Sequence, residues 1–194
     1  MTTSFPNLLR SIAECRVCAN VLPHPPRPIV SAHPEARLLI AGQAPGRRVH
    51  ETGVPWDDPS GDRLREWLGL DRTVFYRPDR VALVPMGFCY PGAGKSGDNP
   101  PRPECAREWH PTLLPRLKKL ELTVVIGQYA QAYHLGDLRK GSLTATVAAW
   151  RDYLPLRIPL PHPSPRNQIW IRRNPWFERD LLPALRRRVQ RLKL

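Results

Sequence analysis

The sequence predicts an α/β protein, a three-layer α/β/α sandwich with a central four-stranded parallel sheet. Three observations lead to this fold class: four short apolar runs, helical patterns between them, and a length of 194 residues, which suits one domain. Strands that alternate with helices pair in parallel, because each helix returns the chain to the start of the next strand. We therefore expect residues 1–194 to form one domain with helices on both faces of the sheet.

The predicted strands cover residues 37–41, 80–84, 122–126 and 156–160. The first three are continuously apolar, which is typical of strands buried on both faces. Helical periodicity covers residues 62–70, 104–120, 128–135 and 181–192. Pro183 fits the last helix only near its start or at a kink, because proline has no backbone N–H to donate.

The composition points to a polyanionic partner. The chain has 30 Lys and Arg against 17 Asp and Glu, a formal net charge of +13. A globular domain this basic usually meets nucleic acid, although a basic enzyme with arginine-rich helix faces has the same composition. The sequence contains no apolar run long enough to span a membrane, and the first 14 residues lack the apolar core of a signal peptide. We expect a cytoplasmic monomer with no membrane partner.

A distinctive loop follows each predicted strand. These loops cover residues 42–46, 85–89, 127–130 and 162–165, and they are rich in glycine, proline and polar side chains. The carboxyl ends of parallel strands build the binding crevice of an open sheet. The sequence therefore predicts one site where the four loops meet.

The segment Gly94-Lys95-Ser96 resembles the end of a phosphate-binding Walker loop. That loop requires a glycine five positions before Gly94, and the residue there is Cys89. Residues 97–101, which contain a glycine and two prolines, cannot begin the required helix promptly. The sequence thus disfavours a nucleotide hydrolase and leaves Lys95 as a candidate contact to a DNA phosphate.

Four cysteines have a spacing that suits a metal or a cluster. Cys15 and Cys18 form a C-x-x-C pair, and Cys89 and Cys105 flank the glycine- and proline-rich loop. Thiols in a reducing compartment point to metal binding or catalysis before disulfides. From the spacing alone, an iron–sulfur cluster, zinc and unligated thiols all remain open.

Together these residues resemble the uracil-DNA glycosylase superfamily, and within it the iron–sulfur family 4 enzymes. Residues 42–46, continuing through Trp56 to residues 60–61, are similar to motif A and its aromatic extension, and residues 162–165 are similar to motif B. The resemblance implies a 4Fe–4S cluster, with zinc as the alternative. Its ligands would be Cys15, Cys18, Cys89 and Cys105.

The resemblance also implies the reaction, which is hydrolytic removal of uracil or a related deaminated base that has been flipped out of DNA. His162 would hydrogen-bond the uracil carbonyl oxygen on which negative charge develops. The residues that would hold the base are Gly42, Gln43, Ala44, Trp56 and His162, with Trp56 stacking on the ring. The residues that would contact DNA are Lys95, Arg166 and Asn167.

Three positions depart from the family pattern. Ala44 replaces the aspartate with which family 1 enzymes orient water, and Gln43 replaces the usual family 4 glutamate. Pro85 stands where many relatives have an asparagine that reads uracil. The group that positions water must then come from another position, and the nearby candidates are His50, Glu51, Asp57 and Asp58. We favour His50 and Glu51, which join His162 and Gln43 as the predicted catalytic residues.

Two other functions remain open at this point. A member of the same fold without the catalytic carboxylate would bind uracil in DNA with little turnover. A metal-containing protein would bind nucleic acid through its basic surface, irrespective of uracil.

Overall fold

The computed structural model describes residues 3–95 and 97–194, so Ser96 of the Walker-like segment lies outside the described residues. The strands are β1 (Leu38–Ala41), β2 (Val81–Leu83), β3 (Ala93–Gly94), β4 (Gly97–Asp98), β5 (Leu122–Ile126) and β6 (Arg157–Leu160). Four of these strands form a parallel sheet in the order β2-β1-β5-β6. The predicted fold class and its four core strands are confirmed.

The strand order creates a crevice beside β1. From β1 the chain passes outward to β2 and then returns to the other side of β1 as β5, where Leu38 faces Val81 on one side and Leu122 on the other. Connections that leave neighbouring strands in opposite directions open a space at the carboxyl edge of the sheet. The loop that follows β1 lies at this switch point.

Helices surround the sheet. They are α1 (Phe5–Ala13), α2 (Arg47–Thr52), α3 (Pro59–Leu68), α4 (Arg72–Phe75), α5 (Pro103–Glu108), α6 (His110–Leu113), α7 (Gly127–Leu135), α8 (Leu143–Ala148), α9 (Gln168–Arg173) and α10 (Leu182–Gln190). Pro183 lies in the first turn of α10, as predicted. Among the described residues, no helix has the length and apolarity needed to cross a bilayer.

Side chains that alternate along β1 pack into two separate cores, which establishes the three layers. Leu38 and Ile40 pack in a cluster that includes Leu64 of α3 and Leu185 of α10. Leu39 packs on the opposite face, in a cluster that includes Leu8 and Ile12 of α1 and Leu113 of α6. Apolar burial on both faces explains why the strands are continuously apolar.

The segment between Cys89 and β5 differs from the prediction in two ways. Residues 104–120, expected as one helix, form α5, α6 and a 3₁₀ turn at residues 114–116, because Pro111 and Pro115 interrupt the backbone hydrogen bonds. The preceding glycine- and proline-rich loop contains the β3–β4 hairpin, which was not predicted. The Asn99 side-chain amide donates to the carbonyls of Pro91 and Ala93, each 3.3 Å away, and holds the base of this hairpin.

Candidate active site

A cavity of about 260 Å³ opens at the carboxyl edge of the sheet. This space is far larger than the roughly 10–15 Å³ that one water needs, so it can admit a single heterocyclic base. Six of the residues predicted for the site line this cavity: Gly42, Gln43, Ala44, Trp56, His162 and Arg166. The structure therefore brings together segments that are more than 100 residues apart in the sequence.

The loop after β1 is fixed by its own backbone. The carbonyl of Gly42 accepts from the N–H of Met86, and the carbonyl of Gln43 accepts from the N–H of Gly87, each at 2.9 Å. The same segment after β2 contributes Pro85 to the cavity wall. These main-chain bonds hold the loop in place where Gln43 lines the cavity.

Trp56 has a left-handed backbone with φ 58°, which is uncommon for a residue other than glycine. Two glycines make room for it: a Cβ at Gly61 would lie 1.7 Å from the Trp56 carbonyl oxygen, and a Cβ at Gly42 would lie 2.7 Å from Cζ2 of the indole. The buried guanidinium of Arg65 donates to the Trp56 carbonyl at 3.2 Å. These contacts fix the indole as one wall of the cavity.

His162 faces Trp56, with ring centroids 5.9 Å apart and planes inclined by 30°. The backbone N–H of Ser164 donates to His162 Nδ1 at 3.2 Å, so a neutral imidazole carries its proton on Nε2. Burial lowers the pKa of His162, although the nearby Asp58 carboxylate acts in the opposite direction. His162 is thus set to offer a neutral N–H donor to the cavity.

Asn167, predicted to contact DNA, lies just behind this loop. Its side-chain amide donates to the His162 carbonyl at 2.7 Å, and the residue is not part of the cavity lining. In this arrangement the side chain braces the backbone of the histidine loop.

His50 and Glu51 lie on α2 and line a neighbouring hollow rather than the cavity. The Glu51 carboxylate pairs with Arg47 at 2.9 Å, and the His50 ring packs 5.9 Å from the ring of Tyr90. Burial lowers the pKa of His50, whose Nδ1 has no hydrogen-bond partner among the described residues. The water-positioning role of these two residues stays a prediction.

Two carboxylates do line the cavity. Asp58 Oδ1 caps α3 by accepting from the N–H of Gly61 at 2.8 Å. Asp98, at the end of the β3–β4 hairpin, was not among the predicted site residues. The sequence does show an acidic residue in the glycine- and proline-rich loop, near the predicted edge of the sheet. The local sequence does not predict the path of that loop, so it could not place Asp98 in the cavity.

A cationic groove adjoins the cavity. Arg47, Lys95 and Arg166 line it, and Asp98 and Arg166 also line the cavity itself. The predicted phosphate contact Lys95 is exposed on the hairpin. The base cavity and the cationic groove therefore meet at Asp98 and Arg166.

The four cysteines line one small pocket as free thiols, with Cys15 partly exposed and the other three buried. The N–H of Phe88 donates to Cys105 Sγ at 3.4 Å. Burial raises the pKa of Cys89 to about 12 and that of Cys105 to about 11, so without a cation both thiols are protonated. Within the described residues, no group of three or more His, Cys, Asp or Glu side chains is arranged to hold a metal ion as it stands. By ligand type, four thiols are compatible with an iron–sulfur cluster or with zinc.

Fold and site together define an α/β protein with a base-sized cavity at the carboxyl edge of a parallel sheet, next to a cationic groove. The family model described as the uracil DNA glycosylase superfamily matches residues 30–186. This match covers most of the chain, including the loop after β1 and the His162 loop. The chain belongs to the uracil DNA glycosylase superfamily.

One solved structure with a similar fold is the solution NMR structure of a protein from Methanosarcina acetivorans, described as a "putative Uracil DNA glycosylase". The two chains are 15% identical, and the TM-score is 0.46. The likeness covers 82% of this chain and 94% of the other. The family assignment depends on the family model and not on this likeness.

Proposed function

We propose that the protein removes uracil, or a related deaminated base, from DNA by hydrolysing the N-glycosidic bond. The observation that carries this proposal is the neutral His162 donor, which lies beside Trp56 in the wall of a cavity of about 260 Å³. A glycosylase must hold an extruded base and stabilise the charge that develops on it. Membership of the superfamily supports the same reading.

His162 supplies the electrostatic stabilisation. When the bond between C1′ and the base nitrogen breaks, its electron pair leaves with the base, and negative charge spreads onto the ring carbonyl oxygens. The Nε2–H of the neutral imidazole is a preorganised donor for that oxygen. Such donors contribute more inside a water-excluded cavity than they do in water.

Trp56 and Gln43 are proposed to hold the base. The indole offers a flat apolar face for stacking. The Gln43 amide has both a donor and an acceptor, which suits a pyrimidine edge that presents both. Pro85 has no side-chain hydrogen-bonding group, so recognition passes to Gln43 and to backbone groups of the loop after β1.

Lys95 and Arg166 are proposed to contact the DNA backbone. Both line the cationic groove beside the cavity, and the chain as a whole has a formal net charge of +13. Phosphate contacts supply affinity and registration without reading the sequence. This arrangement suits an enzyme that must search DNA for a rare base.

We also propose a 4Fe–4S cluster on Cys15, Cys18, Cys89 and Cys105, and with it the iron–sulfur family 4 type. Four free thiols around one pocket support this ligand set, and the same set is compatible with zinc. The cluster would be structural, tying the start of the chain to the segment that carries the hairpin. In this structural role the four cysteine thiolates hold the cluster, and no other side chain is assigned to it.

The test is an excision assay on oligonucleotides that contain uracil, hypoxanthine, xanthine or a thymine mismatch, followed by alkali. Strand scission at the uracil, or at another deaminated base, is the expected result. Tight binding to uracil-containing DNA without scission would overturn the enzymatic proposal in favour of a uracil-binding protein. Binding that ignores uracil would favour a general nucleic-acid-binding protein.

A further inference from the structure

Asp98 occupies the boundary between the base cavity and the cationic groove. Asp98 and Arg166 line both the cavity and the groove. If the base enters the cavity while the phosphates follow the groove, the deoxyribose must sit where the two hollows meet. The bond to be hydrolysed joins base to sugar, so a side chain at this junction faces the reacting carbon.

The hairpin holds Asp98 at this position. Gly94 pairs with Gly97 and Ala93 pairs with Asp98 across the hairpin, and the Asn99 N–H donates to the Gly92 carbonyl at 2.8 Å. The Asp98 carboxylate comes close to the start of α2, since a Cβ at Gly46 would lie 3.5 Å from its Oδ2.

The other acidic residues near the cavity are held by the scaffold or lie outside the cavity lining. Asp58 caps α3 through Gly61, and Asp57 pairs with Arg72 at 2.8 Å. Glu51 pairs with Arg47 and lies outside the cavity lining. Ala44, which stands at the water-orienting position of the motif, has no polar side chain. Asp98 is the acidic residue that both lines the cavity and reaches the groove.

Asp98 is exposed as a whole residue, yet it also lines the cavity, where neighbouring groups displace part of the water around its carboxylate. The groups near the carboxylate are Tyr90, whose side chain hydrogen-bonds to it, Arg166 and Asp58. Burial raises the pKa of Asp98, and Arg166 opposes that shift. A carboxylate with a raised pKa is a stronger base, provided that it remains ionised at the working pH.

We propose that Asp98 is the catalytic residue that orients and deprotonates the attacking water. This inference rests on the proposed glycosylase function. The bond between C1′ and the base nitrogen breaks with its electron pair leaving on the base, and the water oxygen bonds to C1′. One water proton passes to the Asp98 carboxylate. The base anion then takes up a proton from Asp98 or from solvent, which leaves the free base and an abasic sugar.

The test compares Asp98→Asn with the unmodified protein in single-turnover excision of uracil. Asparagine has the same shape but cannot accept the water proton, so we expect the rate to fall about 10²- to 10³-fold. Affinity for DNA containing a non-cleavable 2′-fluoro-deoxyuridine should stay the same. Asp152→Asn removes an exposed carboxylate that pairs with Lys140, and this matched control should excise uracil normally.

Two further measurements separate a chemical role from a structural one. Asp98→Ala should recover activity when formate is added, because formate replaces the missing carboxylate. In Asp98→Asn the part of the acidic limb that comes from Asp98 should disappear, so that only the loss caused by protonation of His162 remains. Loss of activity with weakened DNA binding and no rescue by formate would overturn the proposal.

The remaining outcomes also decide the question. An unchanged rate in Asp98→Asn overturns the inference but leaves the glycosylase proposal standing. A loss confined to Glu51→Gln would assign the water to Glu51 instead. If the unmodified protein excises no base from any of the oligonucleotides, the proposed function fails, and the inference fails with it.

Discussion

The backbone N–H of Ser164 donates a hydrogen bond to Nδ1 of His162, 3.2 Å away. This bond determines which tautomer a neutral His162 adopts, and it leaves Nε2–H as the donor for the cavity. The same local geometry occurs at His33, whose Nδ1 accepts from the N–H of Glu35 at 3.2 Å. His33 is exposed and precedes β1, at the opposite edge of the sheet, so the chain contains a matched control.

Replacement of His162 should slow base excision. We expect His162→Ala to reduce the single-turnover rate by about 10²- to 10³-fold, because a preorganised donor to the developing charge is lost. Affinity for the abasic product should change little. His33→Ala should leave the rate unchanged, and an equal loss in both variants would contradict the assignment.

The rate should not require a protonated His162. Because burial lowers the pKa of His162, the imidazole takes up its proton at a lower pH than an ordinary histidine does. The contribution of His162 should therefore be fully present at neutral pH and disappear only on acidification. A rate that declines as the pH rises from 6 to 7 would indicate that an imidazolium is needed.

Gly61→Ala should disrupt the Trp56 wall. The added Cβ would lie 1.7 Å from the Trp56 carbonyl oxygen, which the backbone cannot relieve without moving the tryptophan. We expect a loss of about 1–3 kcal/mol in the free energy of unfolding, together with weaker binding of uracil-containing DNA. Gly141→Ala is the control, because nothing lies within 4 Å of its Cβ. Equal stability of the two variants would contradict this account.

The protein should lose stability in mild acid. Burial lowers the pKa of His134 from 6.5 to about 4, and its Nε2 is buried without a partner among the described residues. Between these values the unfolded chain binds a proton that the folded chain does not. The free energy of unfolding should therefore fall as the pH drops from about 6.5 to about 4, by at most about 3 kcal/mol from this residue. The free energy of unfolding can be measured by urea titration at several pH values. It should depend less steeply on pH in His134→Gln than in the unmodified protein. An equal dependence on pH in the two proteins would exclude His134 as the cause.

The cysteine site should contain iron and sulfide. Anaerobically purified protein is expected to be brown, and Cys89→Ser or Cys105→Ser should lower iron content and visible absorption together. A colourless protein that contains one equivalent of zinc would show that the four cysteines bind zinc instead of a cluster. Because these cysteines flank the hairpin, the loss of the cluster should also reduce excision.

Lys95→Ala should weaken DNA binding without changing base preference. Removal of one phosphate contact is expected to reduce the slope of log affinity against log salt by about 0.9. Lys118→Ala is the control, since Lys118 is exposed and precedes β5, at the opposite edge of the sheet. Identical salt slopes for Lys95→Ala and the unmodified protein would remove Lys95 from the interface.

The sequence by itself determined the sheet and the edge that carries the site. Continuous apolar runs report burial on both faces, and alternation with helices requires parallel pairing, so the loops after the strands had to meet. Two of the site residues, Gln43 and His162, closely follow strands, and Trp56 packs against Gly42 at the end of β1. All three therefore line the cavity.

Only the tertiary structure decided which acidic side chains reach the cavity. Successive residues of a helix point about 100° apart, so Val49 of α2 lines the cavity while His50 and Glu51 line the neighbouring hollow. Asp98 arrives on a hairpin whose path depends on packing between distant segments. Local patterns report which face of a strand is buried, but the direction of an irregular loop is determined by contacts that no short stretch of sequence contains.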